Sequence, residues 1–316
     1  MPPPSAFPAE RPALPDVQEA VRGLRTVRDF VRWGCSRLVE AGACFGHGTD
    51  NPRDEAAWLV LWALRLPLDE LDPHLDARVL PSERRAIAEL IDRRCRERVP
   101  NAYLTGEAWL RGLCLKADRR ALIPRSLLVE ALDDALDPWL PGQQPQAILD
   151  LCTGGGSVAI AAALRFPEAR VDAADLSAEA LALAAENLAL HDLAGRITLH
   201  EGDLYAPLAR RRYDLILCNP PYVNAASMAG LPAEFLHEPR AALAGGDDGM
   251  DLVRRIVREA RTHLTSRGLL VIEIGHEAEH FEAAFPDLSF AYVPVSAGER
   301  LIVAIDIASL SAGRGR

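Results

Sequence analysis

An apolar run that breaks on three glycines and resumes in a helical pattern leaves few architectures open. In this chain Ile148-Leu149-Asp150-Leu151-Cys152-Thr153-Gly154-Gly155-Gly156-Ser157 leads into Val158-Ala159-Ile160-Ala161-Ala162-Ala163-Leu164. The pattern predicts a strand, a glycine turn and a helix. Glycines let backbone come close to a ligand, and a new helix offers free N–H groups at its start. Nineteen residues after Gly156, Asp175 closes a second apolar stretch, Arg170-Val171-Asp172-Ala173-Ala174. An acid at that place holds two ribose hydroxyls. Gly154-x-Gly156-x-x-Ala159 also fits a dinucleotide fingerprint, so the loop alone admits NAD or S-adenosylmethionine.

The next signal narrows that choice. Tyr213-Asp214-Leu215-Ile216-Leu217-Cys218 reads as a buried strand, and Asn219-Pro220-Pro221-Tyr222 follows it. Two prolines remove two backbone donors and stiffen the turn. The Asn219 side-chain oxygen and the Pro220 carbonyl are both acceptors suited to one planar NH2 group, with the Tyr222 ring as its cover. That set suits methyl transfer to an amide or exocyclic amine nitrogen. A Pro-Pro turn that merely closes a strand is the plainer reading of these four residues taken alone. A third acid, Asp203 in Glu201-Gly202-Asp203-Leu204, follows the strand Arg196-Ile197-Thr198-Leu199-His200 and suits an adenine amine. Strand-end acids at 175 and 203, then the proline turn at 219, make the order of a methyltransferase. A dehydrogenase has no use for the proline turn. The cofactor candidates are Cys152, Thr153, Gly154, Gly155, Gly156, Asp175, Asp203, Leu204 and Asn219. Asn219, Pro220 and Tyr222 are the catalytic candidates, and Asn219, Pro220, Pro221 and Tyr222 the substrate-binding ones.

Around these motifs the chain divides. With 316 residues, it is long enough for two domains. Residues 1–20 are proline-rich and are expected to be disordered, without the basic and apolar parts of a signal peptide. Residues 21–100 predict a small all-α domain. Val27, Phe30, Val31, Gly34 and Leu38 fall at helical spacing, Asn51-Pro52 opens a second helix, and Pro81-Ser82 a third that ends near Arg98. Residues 101–125 predict a β-hairpin linker. Residues 126–310 alternate: a helix to about Trp139, then strands near 147, 171, 197, 214, 269, 290 and 301–305. Gly268 is expected to end a long helix. The expected fold is α/β, a Rossmann-like domain on a seven-stranded, mostly parallel sheet, with ligand loops at the carboxyl ends of the strands. Residues 311–316 are expected to be a disordered tail.

Charge and side-chain chemistry exclude several classes. Residues 101–316 carry 20 basic against 29 acidic residues, a balance of −9, where a protein that grips duplex DNA shows a basic footprint. No apolar run approaches the ~18 residues of a membrane span. The six cysteines include no CxxC pair, which fits a reducing cytoplasm. His276-Glu277-Ala278-Glu279-His280 matches a zinc-protease pattern, with Glu299 as a third candidate ligand. Two exposed histidines on a polar helix explain it better, and no metal is expected. Six arginines between 84 and 98 lie among acids and predict a solvated helix face. The tryptophans 33, 58, 62, 109 and 139 predict packing. Arg125 either meets a cofactor carboxylate or pairs with a nearby acid.

With those residues in view, residues 25–307 resemble the protein-glutamine N5-methyltransferases. The shared features are an N-terminal helical domain, Ile123-Pro124-Arg125, the glycine loop, the Asn-Pro-Pro-Tyr turn, and Glu238-Pro239-x-x-Ala242-Leu243 with Gly246-x-Asp248-Gly249 after it. One branch of the family acts on the GGQ glutamine of release factors, the other on large-subunit ribosomal protein L-three. The chain is similar to the second in Phe45-Gly46-His47-Gly48-Thr49-Asp50-Asn51, Ala102-Tyr103-Leu104-Thr105-Gly106-Glu107-Ala108-Trp109, Pro124-Arg125-Ser126, Leu151-Cys152-Thr153 and His237-Glu238-Pro239. Gly155 and Ser157 depart from the branch, which usually has TGSGC in the loop. The resemblance implies S-adenosyl-L-methionine as methyl donor and a glutamine side-chain nitrogen as acceptor. It implies that the Asn-Pro-Pro-Tyr turn binds the substrate glutamine while its Asn also faces the cofactor. A ribosomal protein of the large subunit is the expected partner and a release factor the alternative. An adenine-N6 nucleic-acid methyltransferase is the more distant one, since it uses a similar turn on a flipped base.

Overall fold

The computed structural model describes residues 13–140 and 144–312. Two compact units divide after Thr105.

The first unit is helical. Helix α1 (Val17–Gly23) starts inside the stretch expected to lack structure, because Asp16 caps it by accepting the Glu19 amide at 2.8 Å. The remainder of that expectation, residues 1–12, lies outside the described residues. Helix α2 (Val27–Glu40) opens on a reciprocal cap, in which Thr26 and Asp29 each accept the other's backbone N–H. Helix α3 (Pro52–Ala63) follows Asn51, whose side chain accepts the Arg53 and Asp54 amides. Helices α4 (Leu71–His74), α5 (Pro81–Glu97) and α6 (Asn101–Thr105) complete the unit. Phe30, Trp33, Leu38, Leu59, Ile87 and Ile91 are fully buried. Gly34 is where α2 meets α5, since a β-carbon there would lie 2.9 Å from Ile91 Cδ1.

The arginine-rich helix departs from expectation. Arg93 and Arg96 pair along the surface with Glu97 and Asp92. Arg94, by contrast, is 1% exposed and meets Glu55 at 2.7 Å. It turns inward because a buried carboxylate on α3 and the Cys44 carbonyl wait for it. Arg98 takes the left-handed conformation that ends α5 and donates to the Ala41 and Gly42 carbonyls.

The second unit opens with an antiparallel hairpin, β1 (Glu107–Leu110) and β2 (Leu113–Lys116). Trp109 on β1 is 44% exposed, so packing does not account for this tryptophan. The helix expected up to Trp139 is irregular. A single α-turn, α7 (Leu128–Glu130), gives way to a π-turn at 131–135 and a 3-10 turn at 137–139. Then follow β3 (Ala147–Leu151), α8 (Ser157–Arg165), β4 (Arg170–Asp175), α9 (Ala178–Leu190), β5 (Ile197–Glu201) and β6 (Tyr213–Cys218). The chain continues through α10 (Ala225–Ala229), α11 (Asp251–His263), β7 (Leu264–Glu273), α12 (Ala278–Ala284), β8 (Ala291–Tyr292), β9 (Ile302–Asp306) and α13 (Ser309–Ala312). Helix α13 enters the stretch expected to be a tail, whose last residues, 313–316, lie outside the described ones.

The seven strands run in the order β5-β4-β3-β6-β7-β9-β8. The first five are parallel and β9 is antiparallel to both its neighbours. Successive side chains alternate between faces. Ile148, Leu215 and Val271 pack with α8, while Leu149, Ile216 and Leu270 pack with α11. Gly268 does not end a helix. Helix α11 stops at His263 and β7 begins at once, with Gly268 inside it. A β-carbon there would lie 2.8 Å from Leu264 Cβ and 2.9 Å from the Tyr213 carbonyl oxygen. The glycine lets β7 pass β6 where their pairing jumps from Tyr213↔Leu264 to Leu215↔Leu269. Among the described residues, no helix is long and apolar enough to cross a membrane.

Candidate active site

The parallel strands put Leu151, Asp175, Glu201, Cys218 and Glu273 at one edge of the sheet. The order reverses beside β3: β4 lies on one side and β6 on the other, the place where open α/β sheets take their ligands.

The glycine loop is braced from below. Asp150 is 1% exposed; its Oδ2 accepts the Thr153 hydroxyl at 2.5 Å and the Ala159 amide at 3.0 Å. Burial pushes its carboxyl up to about 7. The chain turns through left-handed conformations at Cys152 (φ 58°), Gly154 (φ 54°) and Gly156 (φ 86°). Asn187 on α9 donates to the Gly155 carbonyl at 2.9 Å and exchanges hydrogen bonds with the Lys116 backbone. That asparagine carried no sequence signal, since it falls within an ordinary amphipathic helix.

The three glycines are not equivalent. Gly155 has an ordinary φ, and a β-carbon there would meet Leu183 and Asn187 at 3.5 and 3.6 Å, normal contact distances. Gly156 is left-handed, and a β-carbon would sit 3.2 Å from Ala184 Cβ. Gly155→Ala should therefore change stability by no more than about 0.5 kcal/mol. Gly156→Ala should cost about 1–2 kcal/mol from its backbone conformation alone. Urea unfolding of the two variants checks this, and equal losses would contradict it.

Asp175 ends β4. Its Oδ2 accepts the Gly154 amide at 2.8 Å and its Oδ1 the Ser177 amide at 2.9 Å. Each carboxylate oxygen has two acceptor sites and uses one here, so each retains one. Asp203 is half exposed and paired with Arg255 at 2.7 Å, a partner the sequence did not indicate.

These loops enclose a cavity of about 270 Å3. Of the sequence candidates, Cys152, Thr153, Gly154, Gly155, Asp175, Asp203, Leu204, Asn219 and Pro221 form its wall. Gly156 caps α8 instead. Pro220 is buried and Tyr222 half-buried, and neither is part of that wall. Leu122, Leu176 and residues 123–126 also line it, with Pro239, Ala241 and Ala242. Of these, Ile123-Pro124-Arg125 and Glu238-Pro239 were visible as family motifs. Acceptors at Asp175 and Asp203, between apolar walls at Leu122, Leu176 and Leu204, fit a nucleoside with hydroxyls at one end and an amine at the other.

Arg125 pairs with an acid. It meets Glu238 through two nitrogens, at 2.6 and 2.8 Å, and its guanidinium lies 5.6 Å from the centre of the Phe235 ring. Glu238 also accepts the Ile123 amide at 3.0 Å, so it joins the two motifs across the cavity.

The proline turn is clasped by the Gly245–Gly249 segment. The Val223 amide donates to the Leu243 carbonyl at 2.8 Å, and the Gly245 amide to the Val223 carbonyl at 2.9 Å. A β-carbon on Gly245 would lie 2.7 Å from Tyr222 Cα, and one on Gly249 would overlap the Tyr222 carbonyl oxygen. The Tyr222 ring rests on Gly275, where a β-carbon would lie 2.5 Å from Cε2. Its hydroxyl donates to Glu273 at 3.3 Å, and burial holds the phenol well above its usual range.

The HExxH stretch begins directly after Gly275, and its Glu277 borders the clasp: it accepts the Asn224 side-chain amide at 2.7 Å and would lie 3.4 Å from a β-carbon on Gly249. His276 is exposed in the turn before α12, and His280 Nδ1 sits 2.5 Å from Glu277 Oε2. Among the described residues, no group of three or more His, Cys, Asp or Glu side chains is arranged to hold a metal ion.

Comparison with known proteins agrees with this geometry. Residues 125–248 match the Methyltransferase small domain and residues 29–106 the PrmC N-terminal domain. A ribosomal protein uL3 glutamine methyltransferase of Bordetella pertussis is 58% identical over 266 residues, spanning 84% of this chain and 89% of the relative. One of the same name from Burkholderia pseudomallei is 52% identical over 301 residues, spanning 92% of this chain and 97% of the relative. The Xanthomonas campestris counterpart is 46% identical over 294 residues, with 93% and 95% spanned. With this identity along nearly the whole chain and the cavity at the switch point of its sheet, the chain belongs to the ribosomal protein uL3 glutamine methyltransferase family.

Proposed function

We propose that this protein transfers a methyl group from S-adenosylmethionine to the side-chain amide nitrogen of a glutamine in ribosomal protein uL3. The observation that carries this reading is the shared wall of one cavity, in which Asn219 and Pro221 stand with Gly154, Gly155, Asp175 and Asp203. The names of the relatives support the substrate, and a ribosomal-protein substrate supports a cytoplasmic setting.

The methyl donor, when bound, supplies an activated methyl on a positive sulfonium. The chain's own residues then have two tasks. Asp175 and Asp203 hold the nucleoside hydroxyls and amine, with Cys152 to Gly155 and Leu204 as the surrounding wall. Asn219 Oδ1 and the Pro220 carbonyl accept hydrogen bonds from the glutamine NH2 and turn its lone pair toward the methyl. A carboxamide nitrogen is a weak nucleophile, so orientation matters; it contributes up to roughly 7–11 kcal/mol in well-aligned reactions. The same two acceptors stabilise positive charge as it builds on the nitrogen. The Tyr222 π face adds to that stabilisation. The proton leaves after transfer, so no histidine base is needed.

Asp175→Ala should weaken S-adenosylmethionine binding by about 1.5–3 kcal/mol, the range for a hydrogen bond to a charged group. Calorimetry checks it. Tight binding of NAD with none of the methyl donor would contradict the cofactor assignment. For the function itself, a ribosome-free extract should be incubated with the enzyme and methyl-labelled S-adenosylmethionine, and the label located by mass spectrometry. Label on a glutamine of uL3 is expected. Label on a release factor would reassign the substrate, and methyladenine in nucleic acid would overturn the reaction class.

A further inference from the structure

Tyr222 is positioned by a carboxylate that has no part in the chemistry above. Glu273 ends β7 and is 4% exposed. Its Oε2 accepts the Ser126 hydroxyl at 2.6 Å and the Leu127 amide at 2.9 Å, while its Oε1 accepts the Tyr222 hydroxyl at 3.3 Å. One buried side chain thus joins the end of the central sheet, the segment that follows Arg125, and the tyrosine of the proline turn. Removing a carboxylate from water is unfavourable, and burial raises the pKa of this one. An apolar residue would pack there at less cost.

We propose that Glu273 is a positioning residue for methyl transfer, acting through Tyr222. The proposal rests on reading residues 219–222 as the substrate platform. The clasp at Gly245 and Gly249 fixes the Tyr222 backbone, and Gly275 supports one side of the ring. The remaining freedom is the swing of the ring about its own side-chain bonds. The hydrogen bond to Glu273 removes it, and Ser126 with the Leu127 amide holds the carboxylate in turn. A phenol that donates to a carboxylate also carries more electron density on its ring, which favours a nearby positive centre.

The test combines a spectroscopic and a kinetic readout. With 13C-labelled tyrosine, the Tyr222 Cζ signal is the one of five lost in Tyr222→Phe. In Glu273→Gln that signal should shift and titrate at lower pH, with or without cofactor. Single-turnover transfer at saturating substrates should fall about 10–100-fold in Glu273→Gln, as expected for a misplaced contact at a reacting centre. S-adenosylmethionine affinity should stay within about threefold of wild type, because none of its proposed contacts changes. In the Tyr222→Phe background, the further loss from Glu273→Gln should be under about threefold, since the two act as one unit. Ser126→Ala, which leaves the tyrosine contact in place, should be milder than Glu273→Gln. Losses that multiply, or cofactor affinity that falls in parallel with rate, would overturn the proposal while leaving the platform intact. If wild type labels no glutamine although Tyr222 still titrates with Glu273, the platform reading fails and the positioning role fails with it.

Discussion

Asn219→Ala should lower single-turnover methyl transfer by about 10²–10³, the loss seen when one preorganised hydrogen-bonding group is removed from a reacting centre. The side chain follows β6 directly and shares a wall with the glycine loop. Alanine leaves the two prolines and the clasp on Tyr222 intact, so the turn keeps its shape. What is lost is the acceptor that aims the glutamine nitrogen. Cofactor affinity should fall less than rate, because Asp175, Asp203 and the loop remain. Asn219→Asp should also be poor: its charge attracts the sulfonium in the ground state, and it has no NH2 to fix its own orientation. Tyr222→Phe should be milder than Tyr222→Ala if the ring face is what stabilises charge. Equal rates for wild type and Asn219→Ala would remove the platform from the mechanism.

The second large effect concerns the helical unit. Glu55→Ala should destabilise the protein by about 3–5 kcal/mol, because it strands a buried guanidinium. Arg94 is 1% exposed and Glu55 3%. Arg94 Nε donates to Glu55 Oε1 at 2.7 Å, and the Thr49 hydroxyl donates to the other carboxylate oxygen. The Asn101 amide reaches the Glu55 carbonyl at 3.0 Å, so α3, α5, α6 and the loop before α3 all meet at this residue. Glu55→Gln should cost less, since an acceptor survives. Urea unfolding measures both. A loss below about 1 kcal/mol for Glu55→Ala would place this ion pair with ordinary surface pairs.

That ion pair also marks a limit of the sequence. Arg94 sits among five other arginines between 84 and 98, and composition cannot distinguish the one that turns inward. Its partner lies 39 residues away on another helix, a contact that only the packed fold brings about. Asn187 is hidden for the same reason, as is the Asp203–Arg255 pair. The positions of the strands along the chain and the cavity loops were legible because they rest on local chemistry, whereas the order of the strands in the sheet was not. Glycines interrupt an apolar run at 154–156, acids end strands at 175 and 203, and prolines follow β6 at 220 and 221. Gly268 shows where a local rule misleads. A glycine after a helical stretch normally marks the helix end, yet here it answers to the close approach of Leu264 and Tyr213. Tyr222 is a third case. Its place in the motif was plain, whereas its hold on Glu273 depends on how the ends of β6 and β7 pack together.

Methyl transfer by the purified enzyme to purified uL3 and, separately, to a release factor, with each product mapped by mass spectrometry, decides the reaction and its substrate. The expected products are one methyl group on a glutamine side-chain nitrogen of uL3, little or none on the release factor, and none on uL3 with Asn219→Ala. Methylation of uL3 at any residue other than glutamine, or no methylation of either protein by a wild type that binds S-adenosylmethionine, would contradict the proposed activity.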